Sequence, residues 1–192
     1  RRGHRARPAG AGMTTIPTLE TPRLILRAPG PQDFAPFAAF YASPRADFVG
    51  GPLSAELSWR MLAMEIGHWT LKGFGRWTVE TRDGGDIVGM VGLFEPEGWP
   101  EPEIGWDLFN GFEGKGYATE AGEAARAYAY DILGWTTAIS LVKPDNTGSA
   151  AVATRLGARH DGDFTHERHG FMHVYRHPAP DALVNGGVEA YA

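Results

Sequence analysis

A carboxylate, a lysine and a glycine-rich turn lie close together in the stretch Glu103-Ile-Gly-Trp-Asp-Leu-Phe-Asn-Gly-Phe-Glu-Gly-Lys-Gly-Tyr-Ala-Thr-Glu-Ala121. Gly114 and Gly116 bracket Lys115, so the backbone can approach a ligand with no Cβ in the way. Tyr117, Ala118 and Thr119 then open an alanine-rich helical segment. The free N–H groups of such a start, with the positive end of the helix dipole behind them, form a cradle for anions. A polyphosphate fits this description.

Two familiar polyphosphate loops do not. A nucleoside-triphosphate loop requires Gly, four residues and then Gly-Lys-Ser/Thr, whereas Phe109 stands five residues before Gly114 and Gly116 follows Lys115. The dinucleotide pattern G-x-G-x-x-G ends here in Thr119 instead of a third glycine. Thiolate chemistry, disulfides and Cys-based zinc sites are excluded because the chain has no cysteine. His166, His169, His173 and His177 suggest a metal, but along one strand each step of four spans about 13 Å. A single zinc ion with Zn–N distances of about 2 Å cannot bridge that step, so no metal is expected from them.

The elements that position this turn can be read from periodicity and punctuation. Phe34, Phe37 and Tyr41 recur at helical spacing over 31–41, and Ser54 caps a second helix ended by Gly73. Strands are expected at 77–81, 87–94 and 103–109, with Asp83-Gly-Gly85 turning the first hairpin. A helix over 117–133 closes at Gly134. A strand at 137–142, a helix at 149–156 and strands at 160–166 and 169–176 complete the order. The 192 residues, 43% apolar, suffice for one core, and we expect one domain over 13–177. Residues 1–12, with Arg1, Arg2, Arg5 and Arg7 and no acid, are expected to be a leader or upstream extension, and 178–192 a loosely ordered tail. No apolar run reaches the roughly 18 residues of a membrane span. Without those four arginines, 14 basic residues stand against 23 acidic ones, a net of −9, which argues against nucleic acid and favours a cationic amine partner. A cytoplasmic location is the expectation.

The turn resembles motif A of the GCN5-related N-acetyltransferases, with Gly111 where the family carries Gln or Arg. Glu20-Thr-Pro-Arg-Leu-Ile-Leu-Arg27, the hairpin built from Gly73–Glu80 and Ile87–Leu93, and Pro144-Asp-Asn146-Thr-Gly-Ser149 with Leu156-Gly157 resemble further blocks of its RimJ/RimL-like branch. The resemblance runs from about Glu20 to His177. It implies an α+β fold in α/β/α layers, with a mixed, mostly antiparallel central sheet of about six to seven strands and helices on both faces.

It also implies transfer of an acetyl group from acetyl-CoA, as co-substrate and without a metal, to a primary amine on a protein terminus or a small molecule. Direct attack in a ternary complex is the implied route, and a homodimer is compatible with it. The resemblance gives the pyrophosphate to Gly114, Lys115, Gly116, Tyr117, Ala118 and Thr119, and the thioester and pantetheine to the backbone of Trp106 and Leu108. Those two side chains equally suit the core. Asn146 is implied to bond the pantetheine arm, and it equally suits a helix N-cap. The tyrosine that many members place seven residues later is Ala153 here. Ser149 becomes the candidate proton donor, although a first-turn serine also bonds backbone. Glu103 is the candidate base, acting through a water, with a solvated edge carboxylate as the plain alternative. His173 is the next candidate base, and Tyr175 a second donor or a core aromatic.

Trp59, Trp69 and Trp99 are candidate pocket walls or core residues, and the loop Glu95–Glu103, with four acids, is a candidate negative rim. A catalytically silent acyl-CoA-binding module and a partner-binding scaffold are the rival readings, the first suggested by Gly111 and Ala153.

Overall fold

A computed structural model describes residues 15–186. The expected leader over 1–12 and the end of the tail lie outside the described residues. The elements are β1 (Leu19–Glu20), β2 (Leu24–Arg27), α1 (Phe34–Tyr41), α2 (Ala55–Lys72), β3 (Arg76–Thr81), β4 (Ile87–Phe94), β5 (Glu103–Leu108), α3 (Tyr117–Asp131), β6 (Ile139–Val142), α4 (Thr147–Arg155), β7 (Arg159–His166), β8 (Gly170–Arg176) and α5 (Pro180–Gly186). No helix among the described residues is long and apolar enough to cross a membrane.

The eight strands form one mixed sheet in the order β1-β2-β3-β4-β5-β6-β8-β7. Every pairing is antiparallel except β5 with β6. The opening segment is split in two, because Thr21 to Arg23 turn back so that Leu19 pairs with Leu26. That split is the source of the eighth strand.

The pleat of β4 divides the core. Val91 and Leu93 belong to a cluster with Ala121 and Ala125 of α3, while Met90 packs with Phe37, Phe40 and Leu62 of α1 and α2. Successive side chains of a strand point to opposite faces, so the helices cover both faces of the sheet. Ser54 caps α2 by accepting the N–H of Leu57, and Gly73 ends it at φ 80°. Pro180 to Gly186 form a short helix, and Leu183 packs against the larger cluster.

Candidate active site

The parallel strands β5 and β6 part almost as soon as they meet. Glu103 with Ile139 is their one register pair, supported by Ile139 N–H bonding Pro102 O at 3.0 Å. Side chains fasten the point of divergence. Ser140 Oγ donates to Ile104 O at 2.6 Å and accepts from His177 Nε2 at 2.9 Å. Glu103 Oε1 accepts the Leu141 N–H at 3.0 Å, the place a backbone carbonyl would take in a continuous ladder.

Beyond that point the β6-facing edge of β5 has no strand partner among the described residues. Phe109 N–H bonds Val88 O of β4. The alternation of a strand therefore turns the N–H groups of Trp106 and Leu108 toward the gap. Across it, Trp106 Nε1 donates to Ser149 Oγ at 3.2 Å, leaving the hydroxyl proton of Ser149 available to another acceptor. Asn146 caps α4, its Oδ1 accepting the Ser149 N–H at 3.1 Å.

At the far end of β5 stands the glycine turn. Gly111, Gly114 and Gly116 have φ of 89°, 74° and 80°, a region other residues seldom adopt. A Cβ at Gly111 or Gly114 would meet nothing within 4 Å, so the cradle is open space. The first helical bond of α3 is Glu120 N–H to Gly116 O. The N–H groups of Tyr117, Ala118 and Thr119 precede it and have no intrahelical acceptor.

Arg23, which the sequence places only in an opening strand, braces this turn. Its Nη1 donates to Lys115 O at 2.9 Å, its Nε pairs with Glu120 at 2.6 Å, and its guanidinium lies 5.0 Å from the Tyr117 ring centroid. Lys115 Nζ sits 5.2 Å from the Phe112 ring centroid. Open glycines, three helix-start donors and a lysine form a donor set suited to a pyrophosphate.

The divergence opens into a cavity of about 530 Å³, lined by Trp106, Asn146 and Ser149 as well as Glu103. Leu53, Leu57, Met61 and Met64 give it an apolar wall. Glu103 reaches it with only 7% of its surface exposed, and its Oε2 accepts from Trp99 Nε1 at 2.6 Å. Burial outweighs these two hydrogen bonds and the nearby Arg76 charge, raising the carboxyl to about 7. A carboxyl there is half ionised near neutrality, which suits a general base.

Arg76, Glu65, Asp107 and Tyr41 form a polar group that sequence reasoning missed. Arg76 is buried and pairs with Glu65 and, at 2.7 Å, with Asp107, which also accepts from Tyr41 Oη at 3.2 Å. Only Gly73-Phe-Gly-Arg76 in one of the family-like blocks pointed toward it.

Several expectations need correction. His173 and Tyr175 do not line the cavity. They point to the face of β8 opposite Met172, which does, and His173 Nδ1 bonds Asp163 at 2.7 Å. The histidines that reach the cavity are His166 and His169, the first tilted and the second edge-on against Trp99, with ring centroids 5.3 and 5.6 Å away. Trp99 is a wall, Trp69 is core, and Trp59 is 61% exposed away from this cavity.

The negative rim is largely spent on ion pairs and hydrogen bonds. Glu95 pairs with Lys72, Glu101 with Arg176, and Glu103 turns inward, leaving Glu97 on the cavity wall. Lys143 and Arg168 also line the mouth. Lys143 Nζ donates to the Asp47 carbonyl oxygen at 2.9 Å, and among the described residues neither cation has a carboxylate within ion-pair distance.

Residues 23–159 match the family model of the acetyltransferase (GNAT) domain. The uncharacterized N-acetyltransferase YoaA of Bacillus subtilis is 28% identical over 77% of this chain and 85% of its own length. Its counterpart YnaD is 29% identical over 46% of this chain, and the match spans about half, 52%, of YnaD. An acetyltransferase from Agrobacterium tumefaciens has a crystal structure that superposes with a TM-score of 0.79 at 35% identity, over 91% of this chain and 99% of that one. The ribosomal L7/L12 α-N-protein acetyltransferase RimL shares the fold at 17% identity, with a TM-score of 0.68 over 88% of this chain and 97% of its own.

Proposed function

Because the chain belongs to the GNAT acetyltransferase family, we propose that it transfers the acetyl group of acetyl-CoA to a primary amine by direct attack in a ternary complex. The observation that carries this reading is the divergence of β5 and β6 after a single register pair, with the glycine turn at one end and Glu103 beside the cavity at the other. Acetyl-CoA supplies a thioester carbonyl, an electrophile that needs no metal.

The turn residues Gly114, Lys115 and Gly116 and the N–H groups of Tyr117, Ala118 and Thr119 hold the pyrophosphate. The N–H groups of Trp106 and Leu108 offer the donors an elongated polar arm requires, and one of them polarises the carbonyl oxygen. Asn146 uses its Oδ1 in the α4 cap, so its amide N–H₂ is the part that bonds the arm. Glu103, ionised above about pH 7, takes a proton from the acceptor ammonium through a water. Ser149 Oγ, already accepting from Trp106, gives its proton to the departing sulfur.

Distant similarity to RimL supports the RimJ/RimL-like branch and a terminal α-amine as one acceptor type. The cavity narrows the choice further. Apolar walls and the cations Lys143 and Arg168, which have no carboxylate partner among the described residues, favour an amine with an apolar body and an anionic group. For an acceptor such as L-methionine against its amide, Arg168→Gln should raise KM about fivefold for the acid only. Equal KM changes for the two would remove Arg168 from acceptor recognition.

The test of the reading is incubation with acetyl-CoA and a panel of peptides and small amines, following free thiol and the mass of the product. A product heavier by one acetyl group is expected. Tight CoA binding with no acetylated amine across the panel would favour the silent module. Ser149→Ala should lower kcat and leave the CoA dissociation constant unchanged, since its proton transfer belongs to the transition state. An unchanged kcat would assign that proton to water.

A further inference from the structure

The face of β8 turned away from the cavity carries a second constellation. Between β7 and β8 the register runs from His160 opposite Tyr175 to Asp163 opposite His173, so Asp161 and Gly162 together oppose Val174 and β7 carries one extra residue. Gly162 takes φ 113°, which makes such a bulge accessible. The bulge swings Asp163 back over His160 and beside His173 of the neighbouring strand. Asp163 Oδ1 accepts from His173 Nδ1 at 2.7 Å and from His160 Nε2 at 3.1 Å. The imidazole centroids are 5.0 Å apart, and the three candidate donor atoms lie within 4.8 Å of one another.

We propose that His160, Asp163 and His173 bind one divalent transition-metal ion of the zinc, nickel or copper type, as a clamp joining the edge strand β7 to β8. Tetrahedral ligands about 2.0–2.1 Å from zinc lie roughly 3.3 Å apart, close to the two distances already present. Small side-chain rotations therefore suffice to admit the ion. Two imidazoles and one carboxylate suit this group of metals, and the exposed position leaves water to complete the shell. Histidines four apart along one strand are too distant to share an ion, whereas this site is built across two strands through a bulge. It lies apart from the acyl-transfer site: none of its three residues lines the cavity, and the proposed chemistry does not use it.

The test is calorimetric titration of the tag-free, chelator-treated full chain with Zn²⁺, together with melting curves with and without the ion. One equivalent of saturable binding is expected, with a higher Tm in its presence. Asp163→Asn and His173→Ala should each weaken it roughly tenfold or more. His166→Ala, which alters the separate His166–His169 pair near the cavity, should leave it unchanged. Absence of saturable binding would overturn the proposal and leave a hydrogen-bonded trio only. Binding that survives both substitutions, or that His166→Ala abolishes, would also overturn it by placing the ion elsewhere. Since Asp163 and His173 lie outside the cavity, acetyl transfer should persist in Asp163→Asn and His173→Ala, which keeps this test separate from that of the enzyme.

Discussion

Glu103→Gln is expected to cut kcat/KM by about a hundredfold to ten-thousandfold, the usual range for loss of a general base. The wild-type rate should rise with pH through about 7 and then level off. Glu103 must be ionised to accept a proton, and its burial raises the carboxyl to that value. The variant should lose this acidic limb while keeping its affinity for CoA, because the cradle and the β5 edge are untouched. A steady-state pH profile with a fixed acceptor checks both parts. Full activity with an unaltered limb would mean that another group, or a water held by the backbone, takes the proton. His169 would then be the histidine to examine, since it lines the cavity and His173 does not.

The second large effect concerns the turn. Gly116→Val should weaken CoA binding at least about tenfold, equivalent to roughly 1.4 kcal/mol. At φ 80° a β-branched residue is strained, and its Cβ would stand 3.2 Å from Arg23 Nη2, on the guanidinium whose Nη1 braces Lys115 O. The substitution therefore disturbs both the peptide orientation and its brace. Gly114→Ala, at φ 74° with open space around it, separates the two causes: strain is present there and the Arg23 contact is not. Calorimetry with CoA gives the affinities, and undiminished binding by Gly116→Val would remove the turn from the binding site.

The turn was legible in the sequence because only glycine serves cheaply at a positive φ, and three glycines around one lysine before a helix leave few alternatives. Gly111 was read as the loss of a family side chain, yet its own φ of 89° makes it part of the turn's geometry. Helix α2 was legible from Ser54 and Gly73, which act within a few residues of the ends they fix. Arg23 was not, because its partners at Lys115 and Glu120 are 92 and 97 residues away. The Arg76, Glu65, Asp107 and Tyr41 group was hidden for the same reason, since it joins α1, α2, β3 and β5.

Glu103 could be singled out from its place before the Ile-Gly-aromatic run. Its raised pKa depends on enclosure by the Trp99 loop and β6, which no local pattern records. The bulge at Asp161 and Gly162 shows the same limit. Regular alternation put His173 mid-strand with a claim on the substrate, and one extra residue on the adjacent strand brought Asp163 beside it instead.

Amide hydrogen exchange of the protein with and without CoA tests the central claim most directly. If the diverging edge of β5 and the start of α3 hold the co-substrate, CoA should slow exchange at Trp106 and Leu108 and at Tyr117, Ala118 and Thr119. Amides of β2 and β3 should serve as unchanged references. Saturating CoA that leaves all five of those amides exchanging at their free rates would contradict the account.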